Sequence, residues 1–79
     1  MNMEIFTKII STPTHQVLVT KGFGEDGTYV VEVKASFPGV YPSVIMGFET
    51  EKKRDRLFDE YDEAMAASFI EQVTNAFGG

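Results

Sequence analysis

Asp55, Asp59 and Glu63 stand at successive four-residue steps, with Asp62 beside the last of them. On one helix that spacing stacks three carboxylates on a single face, where neighbouring like charges repel by about 0.2–0.5 kcal/mol per pair. Carboxylates so arrayed can hold a hard divalent cation, move protons, or dock on a cationic surface. The cation reading requires loop carbonyls or substrate phosphates alongside, and the D-x-[DN]-x-[DN]-G loop pattern is absent. Acid–base work requires a concave pocket, which one helix on a small sheet does not offer. Asp62 sits at the border of an apolar stripe formed by Phe58, Met65 and Phe69, next to Tyr61. What remains is a solvated face that keeps a small protein soluble or, if the face is used, a docking strip. Asp55, Asp59, Asp62 and Glu63 are therefore the candidate partner-binding residues. No catalytic residue, metal site or cofactor is expected, and the chain is expected not to be an enzyme.

Two other patterns carry less. Gly22-Phe23-Gly24-Glu25-Asp26-Gly27 has the letters of the G-x-G-x-x-G nucleotide fingerprint. That motif needs a helix N-terminus after the glycines, whereas a strand pattern follows here and two carboxylates stand where phosphate would come. A glycine-rich hairpin turn is the expectation. His15 is the single histidine and follows Pro13-Thr14 at a strand start, with no cysteine in the chain. Without a second base or ligand near it, His15 has a surface or edge role, and Ser11, Thr12 and Thr14 read as turn residues.

The terminal Gly78-Gly79 resembles the diglycine end of ubiquitin-like and sulfur-carrier proteins, and that resemblance implies adenylation followed by conjugation or thiolation. In those families the diglycine leaves on an extended tail. Here it follows Val73-Thr74-Asn75-Ala76-Phe77 in a helical pattern, so a helix stop at Gly78 is expected.

Charge narrows the partner classes. The 79 residues carry a net −5. Residues 1–48 hold Glu4, Glu25, Asp26 and Glu32 against Lys8, Lys21 and Lys34, while residues 49–79 hold eight acids against Lys52, Lys53, Arg54 and Arg56. An acidic surface repels phosphate backbones and anionic membranes and favours basic partners. The N-terminus has no basic leader and no apolar run approaches the ~20 residues of a membrane span, so a cytoplasmic protein is expected. With no cysteine, disulfides and thiolate zinc cannot supplement a core of this size, and dimerisation is the remaining staple.

The elements that must carry these residues change character at Phe48-Glu49-Thr50. Before that point the apolar residues alternate. Tyr29, Val31, Val33, Ala35 and Phe37 form one set, and Val17, Val19 and Phe23 form another, with Gly24–Gly27 as the turn between them. Met3, Ile5 and Ile9 oppose Glu4, Phe6, Lys8 and Ile10 in a first strand that ends at Pro13. Val44, Met46 and Phe48 alternate with Ser43, Ile45 and Gly47 in a fourth. Past Thr50, the expected N-cap, Leu57, Phe58, Tyr61, Met65, Phe69, Val73 and Ala76 recur at helical spacing with no glycine or proline in 51–77. A continuous helix would be ~40 Å long, against ~30 Å for a nine-residue strand, and would overhang the sheet. Its apolar row drifts, leaving Ala66, Ile70 and Phe77 off the face of Leu57 and Tyr61. A bend near Ala64–Ser68, or a second subunit, would account for that drift.

The sequence thus specifies one α+β domain over residues 1–79: a four-stranded antiparallel β-meander (1–48) with one long C-terminal α-helix (49–79) packed on one face. Its expected core is Val17, Val19, Val31, Val33, Phe37, Leu57, Phe58, Tyr61, Met65 and Phe69. The ββββα order resembles the dimeric single-stranded-DNA-binding coactivators, and that resemblance implies a lysine- and aromatic-bearing strand platform, which the net charge disfavours. In size and charge the chain is similar to small acidic proteins of phages and mobile elements, including those that disarm host defence complexes. The functional expectation is a non-enzymatic protein–protein interaction module, an inhibitor that blocks a basic nucleic-acid-binding surface of a larger partner, with a homodimer as its assembly. A diglycine carrier or enzyme accessory protein is the first alternative, and a dimeric nucleic-acid binder the second.

Overall fold

The computed structural model describes residues 6–24 and 26–78. Four antiparallel strands, β1 (Phe6–Ser11), β2 (Gln16–Phe23), β3 (Tyr29–Ala35) and β4 (Ser43–Phe48), lie side by side in sequence order. The α+β class and the meander follow the alternation. The Met3–Ile5 part of the expected first strand lies outside the described residues.

Each turn uses the chemistry its residues supply. Between β2 and β3 the Gly24 N–H donates to Thr28 O at 2.7 Å and the Gly27 N–H to Gly24 O at 3.1 Å. Gly27 has φ 84°, a conformation open to glycine, so the G-x-G-x-x-G letters form a hairpin turn. Thr28 donates its N–H to Asp26 Oδ1 at 3.1 Å, and the bonds from Thr28, the side-chain bond foremost, hold the Asp26 carboxyl below its ordinary 3.8. After β3, Pro38 and Gly39 (φ 77°) fill the central positions of a turn closed by reciprocal Phe37–Val40 backbone bonds. Proline followed by positive-φ glycine is the signature of a type II turn.

The register sets two faces. Ile10 opposes Val17, Lys8 opposes Val19, and Phe6 opposes Lys21 on β1–β2; Val17, Val19 and Lys21 oppose Ala35, Val33 and Val31 on β3. This face carries the core. Val17, Val19, Val31, Val33 and Ala35 are wholly buried, with Ile10, Phe37, Met46, Phe48, Leu57, Phe58 and Phe69 packed against them. The other face shows Thr7, Ile9, Leu18, Thr20, Val30, Glu32, Lys34 and Ile45, with Ile9 and Ile45 each 62% exposed.

The C-terminal half departs from the single long helix expected. It forms α1 (Glu51–Glu60) and α2 (Glu63–Gly78). Thr50 caps α1 as expected, accepting the Lys53 N–H at 3.2 Å. Tyr61 then turns extended (ψ 116°), its N–H closing on Leu57 O at 2.9 Å. Asp62 starts the next helix: its Oδ1 accepts the Met65 N–H at 3.0 Å and its carbonyl accepts the Ala66 N–H at 3.0 Å. A carboxylate is among the best N-caps, so the break needs no glycine or proline. The pause also rephases the chain. In α2 the stripe becomes Ala66, Ile70 and Val73, all buried, at i, i+4 and i+7. Met65, placed in the core by a continuous helix, is a surface residue, 37% exposed. The bend expected at Ala64–Ser68 is a break at Tyr61–Asp62.

α1 lies across β2, β3 and β4, whereas α2 packs on β1. The longest dimension is 41 Å against 22 and 20 Å, and Phe77 near the end of α2 is 67% exposed. Gly78 belongs to that helix; Gly79 lies outside the described residues.

Candidate functional site

The four candidate carboxylates do not form one strip. Asp55 turns inward. Its Oδ1 accepts from Lys21 Nζ at 3.2 Å and from Arg54 Nε at 3.0 Å, and lies 2.9 Å from Arg54 Nη2. Partial burial pushes the Asp55 carboxyl up, but the bonds from Arg54 and Lys21 outweigh it and hold the group below its ordinary 3.8. Asp55 is therefore a hub of the packing between α1 and the sheet, with its charge neutralised from within.

That hub belongs to a cationic layer beneath α1 which the sequence did not disclose. Lys8 and Lys21 are strand residues on the core face. Lys8 donates to the Phe58 carbonyl and stands 4.9 Å from the Phe58 ring centroid, while Lys21 stands 5.0 Å from that ring and 5.2 Å from Phe6. Arg54, 12% exposed, bonds the Gly22 carbonyl at 2.9 Å and lies 5.2 Å over Tyr29. Each cation thus sits on an aromatic face with its head bonded, which is how amphipathic side chains cover apolar surface. A hint was available. Lys8 falls between Phe6 and Ile10, two apolar residues of one parity, and shares their face.

Asp59, Asp62 and Glu63 face outward. Asp59 lies in the last turn of α1, Asp62 caps α2 and Glu63 opens it, so the three flank the turn between the helices; Glu60 beside them bonds Arg56 at 3.4 Å. Among the described residues none of Asp59, Asp62 and Glu63 has a cationic partner. The i+4 row from Asp59 to Glu63 is interrupted by the break. The acids gather at a corner rather than along a rod.

Two details of this corner differ in cost. Asp62 and Glu63 stand at the positive end of the α2 dipole, which stabilises them. Asp59 and Glu60 stand at the negative end of α1, where acids are unfavourable, while Lys52 and Lys53 occupy its first turn with Glu51. α1 is charged largely against its own dipole.

The remaining sequence candidates fall elsewhere. His15 stacks on Phe37 (4.2 Å between centroids, 33° tilt) beside the Thr12 turn, where Thr12 Oγ1 accepts the His15 N–H at 2.9 Å. Among the described residues, no group of three histidine, cysteine or carboxylate residues is arranged to hold a metal. No described helix is long and apolar enough to cross a membrane. On the open sheet face, Lys34 is the one lysine of the described strands and no aromatic ring is present, because Lys8 and Lys21 face α1.

No family model, curated protein or solved structure matches this chain.

The Asp55 hub makes stability acid-sensitive with a defined sign. Its folded-state pKa lies below the unfolded 3.8, so its contribution is complete above that value and is lost as pH falls from it through the lower folded-state pKa. Asp26, also lowered, acts in the same direction. Tyr61, raised above 10.0 by burial, contributes stability that is lost as pH rises past that value. Urea midpoints measured against pH are expected to fall at both ends, and Asp55→Asn is expected to shrink the acid limb while sparing the alkaline one.

Proposed function

We propose that the protein is a non-enzymatic protein-binding module whose acidic corner, Asp59, Asp62 and Glu63, docks on a basic surface of a larger partner and blocks it, nucleic-acid-binding surfaces being the best-matched class. One observation carries this reading. Three outward carboxylates fall within residues 59–63, at the turn between two helices and without an internal counter-ion among the described residues, one of them at a helix end that disfavours it. Charges placed only for solubility can go wherever they cost least. Potential from such a cluster steers association with a cationic patch and sets specificity more than affinity. Asp55, bound to Lys21 and Arg54, ties α1 to the sheet rather than taking part in docking. The module acts in the cytoplasm, as a homodimer, through a surface that leaves the corner free.

The nucleic-acid alternative is weakened by the open face, which lacks the rings and the cation density that strand platforms use. The carrier alternative is weakened by Gly78, which is helical rather than part of an extended tail.

Affinity capture from the native host tests the reading. Wild-type chain is expected to retain a basic protein that elutes with rising salt, and the Asp59→Lys/Glu63→Lys variant to lose it with an unchanged circular dichroism spectrum. Recovery of the same partner by both baits would exclude the corner.

A further inference from the structure

We infer that the outer edge of β4 is covered by a second copy of this chain, paired antiparallel about a two-fold axis at Ile45, with Lys53 of each α1 facing Glu60 of the other. The outer edge of β4 is unguarded. β4 ends the sheet, and among the described residues no strand lies beyond it. Its residues, Ser43-Val44-Ile45-Met46-Gly47-Phe48, include no charge and no proline, and Val44 and Ile45 are 42% and 62% exposed. Solitary edges are normally blunted by a charge, a proline or a bulge, and the β3–β4 register runs without one. β1, at the other edge, carries Lys8.

The hydrogen-bond phase fixes which residues are available. The Ala35 N–H donates to the Pro42 carbonyl at 2.9 Å, in phase with the Val33–Val44 pair. Val44, Met46 and Phe48 therefore spend their backbone groups on β3, and Ser43, Ile45 and Gly47 turn theirs outward. Two copies meeting at Ile45 pair Ser43 with the partner's Gly47 and set Ile45 beside its equivalent on the open face. On the helix face, Val44 then opposes Met46 of the second copy.

α1 indicates that the occupant is a second copy rather than an unrelated strand. Asp55 reaches Lys21 on β2, and the Phe58 carbonyl takes Lys8 from β1, so that side of α1 looks toward β1 and β2. Lys53 and Glu60, two turns apart, lie on the opposite side, toward the β4 edge. Lys53 forms no ion pair among the described residues, and Glu60 has only a solvent-exposed contact with Arg56 of its own helix at 3.4 Å, which leaves its carboxylate open to a second cation. The level is right as well. Asp55 sits at the height of Lys21, which the register carries through Val31 to Met46; Phe58 sits at the height of Lys8, carried through Val19 and Val33 to Val44. The midpoint of Lys53 and Glu60 thus falls within about one residue of the level of Ile45. A two-fold axis there brings each Lys53 opposite a Glu60. Helices centred over β3 in the two copies would be three strand spacings apart, about 14 Å, a gap that facing lysine and glutamate side chains span. The basic-first, acidic-last order that opposes the α1 dipole is the order an antiparallel pair of α1 helices requires.

The assembly is independent of the acidic corner, so Asp59→Lys and Glu63→Lys are expected to leave it intact. Sedimentation equilibrium at about 100 μM, which populates any dimer of Kd near 1 μM, is expected to give twice the 8.8 kDa chain mass. Ile45→Pro removes only an outward N–H and is expected to give a folded monomer. Lys53→Glu and Glu60→Lys should each weaken the dimer at least tenfold, and the two together should restore it. A wild-type monomer, which would leave the edge to a different protein, overturns the inference. So does a dimer that survives Ile45→Pro, or a double reversal that fails to recover.

Discussion

Ile70→Ala should cost about 2–4 kcal/mol of stability, lowering Tm by about 10 °C or more for a chain of this length. Ile70 is 6% exposed and belongs to the same core as Val17, Val19, Val31 and Val33. Removing its outer carbons leaves a cavity between α2 and the sheet that neighbours fill only in part. Met65→Ala, five residues earlier at a surface position, should cost below about 1 kcal/mol. The contrast bears on the helix break itself. A helix running unbroken through Tyr61 would bury Met65 and turn Ile70 aside, reversing the order of the two losses. Urea melts of both variants, read by midpoint at constant slope, separate the two arrangements.

Arg54→Ala should be the most damaging single change among the charged residues, at about 1.5–3 kcal/mol. Most of that loss comes from the charge-assisted bond to the Gly22 carbonyl and from the guanidinium plane over Tyr29. The link to Asp55, whose side chain is one-third exposed, is partly screened by solvent and adds less. Arg54→Lys should recover only a minor part. A single ammonium cannot bond Gly22 and Asp55 from one planar fork while stacking on a ring. Thermal melts of the two variants should therefore lie close together and well below wild type; a lysine variant as stable as wild type would show that charge alone suffices.

The sheet was legible because its signal is local. Val17/Val19 and Val31/Val33 alternate with polar neighbours, glycine and proline mark the turns, and β4 occupies the span its alternation indicated. The helix break was only half legible. The drift of Ala66 and Ile70 away from Leu57 showed that one straight helix could not bury them all, yet without glycine or proline the place of the break was not marked. The five-residue step from Tyr61 to Ala66, bridged by a capping aspartate, was the available sign. At the candidate site, the acids themselves were readable and their division was not. Asp55 is separated from Asp59 in role by Lys21, which lies 34 positions away and faces α1 only because β2 pairs as it does. Such a contact is a property of register, not of spacing.

Amide chemical-shift mapping of the labelled chain, titrated with its captured partner, shows whether the corner of Asp59, Asp62 and Glu63 is the docking surface. The expected result is a contiguous set of perturbed amides over residues 59–66 that vanishes at high salt, with Thr7, Leu18 and Lys34 on the open face unmoved. Perturbation confined to the open face, with the corner silent, would contradict it.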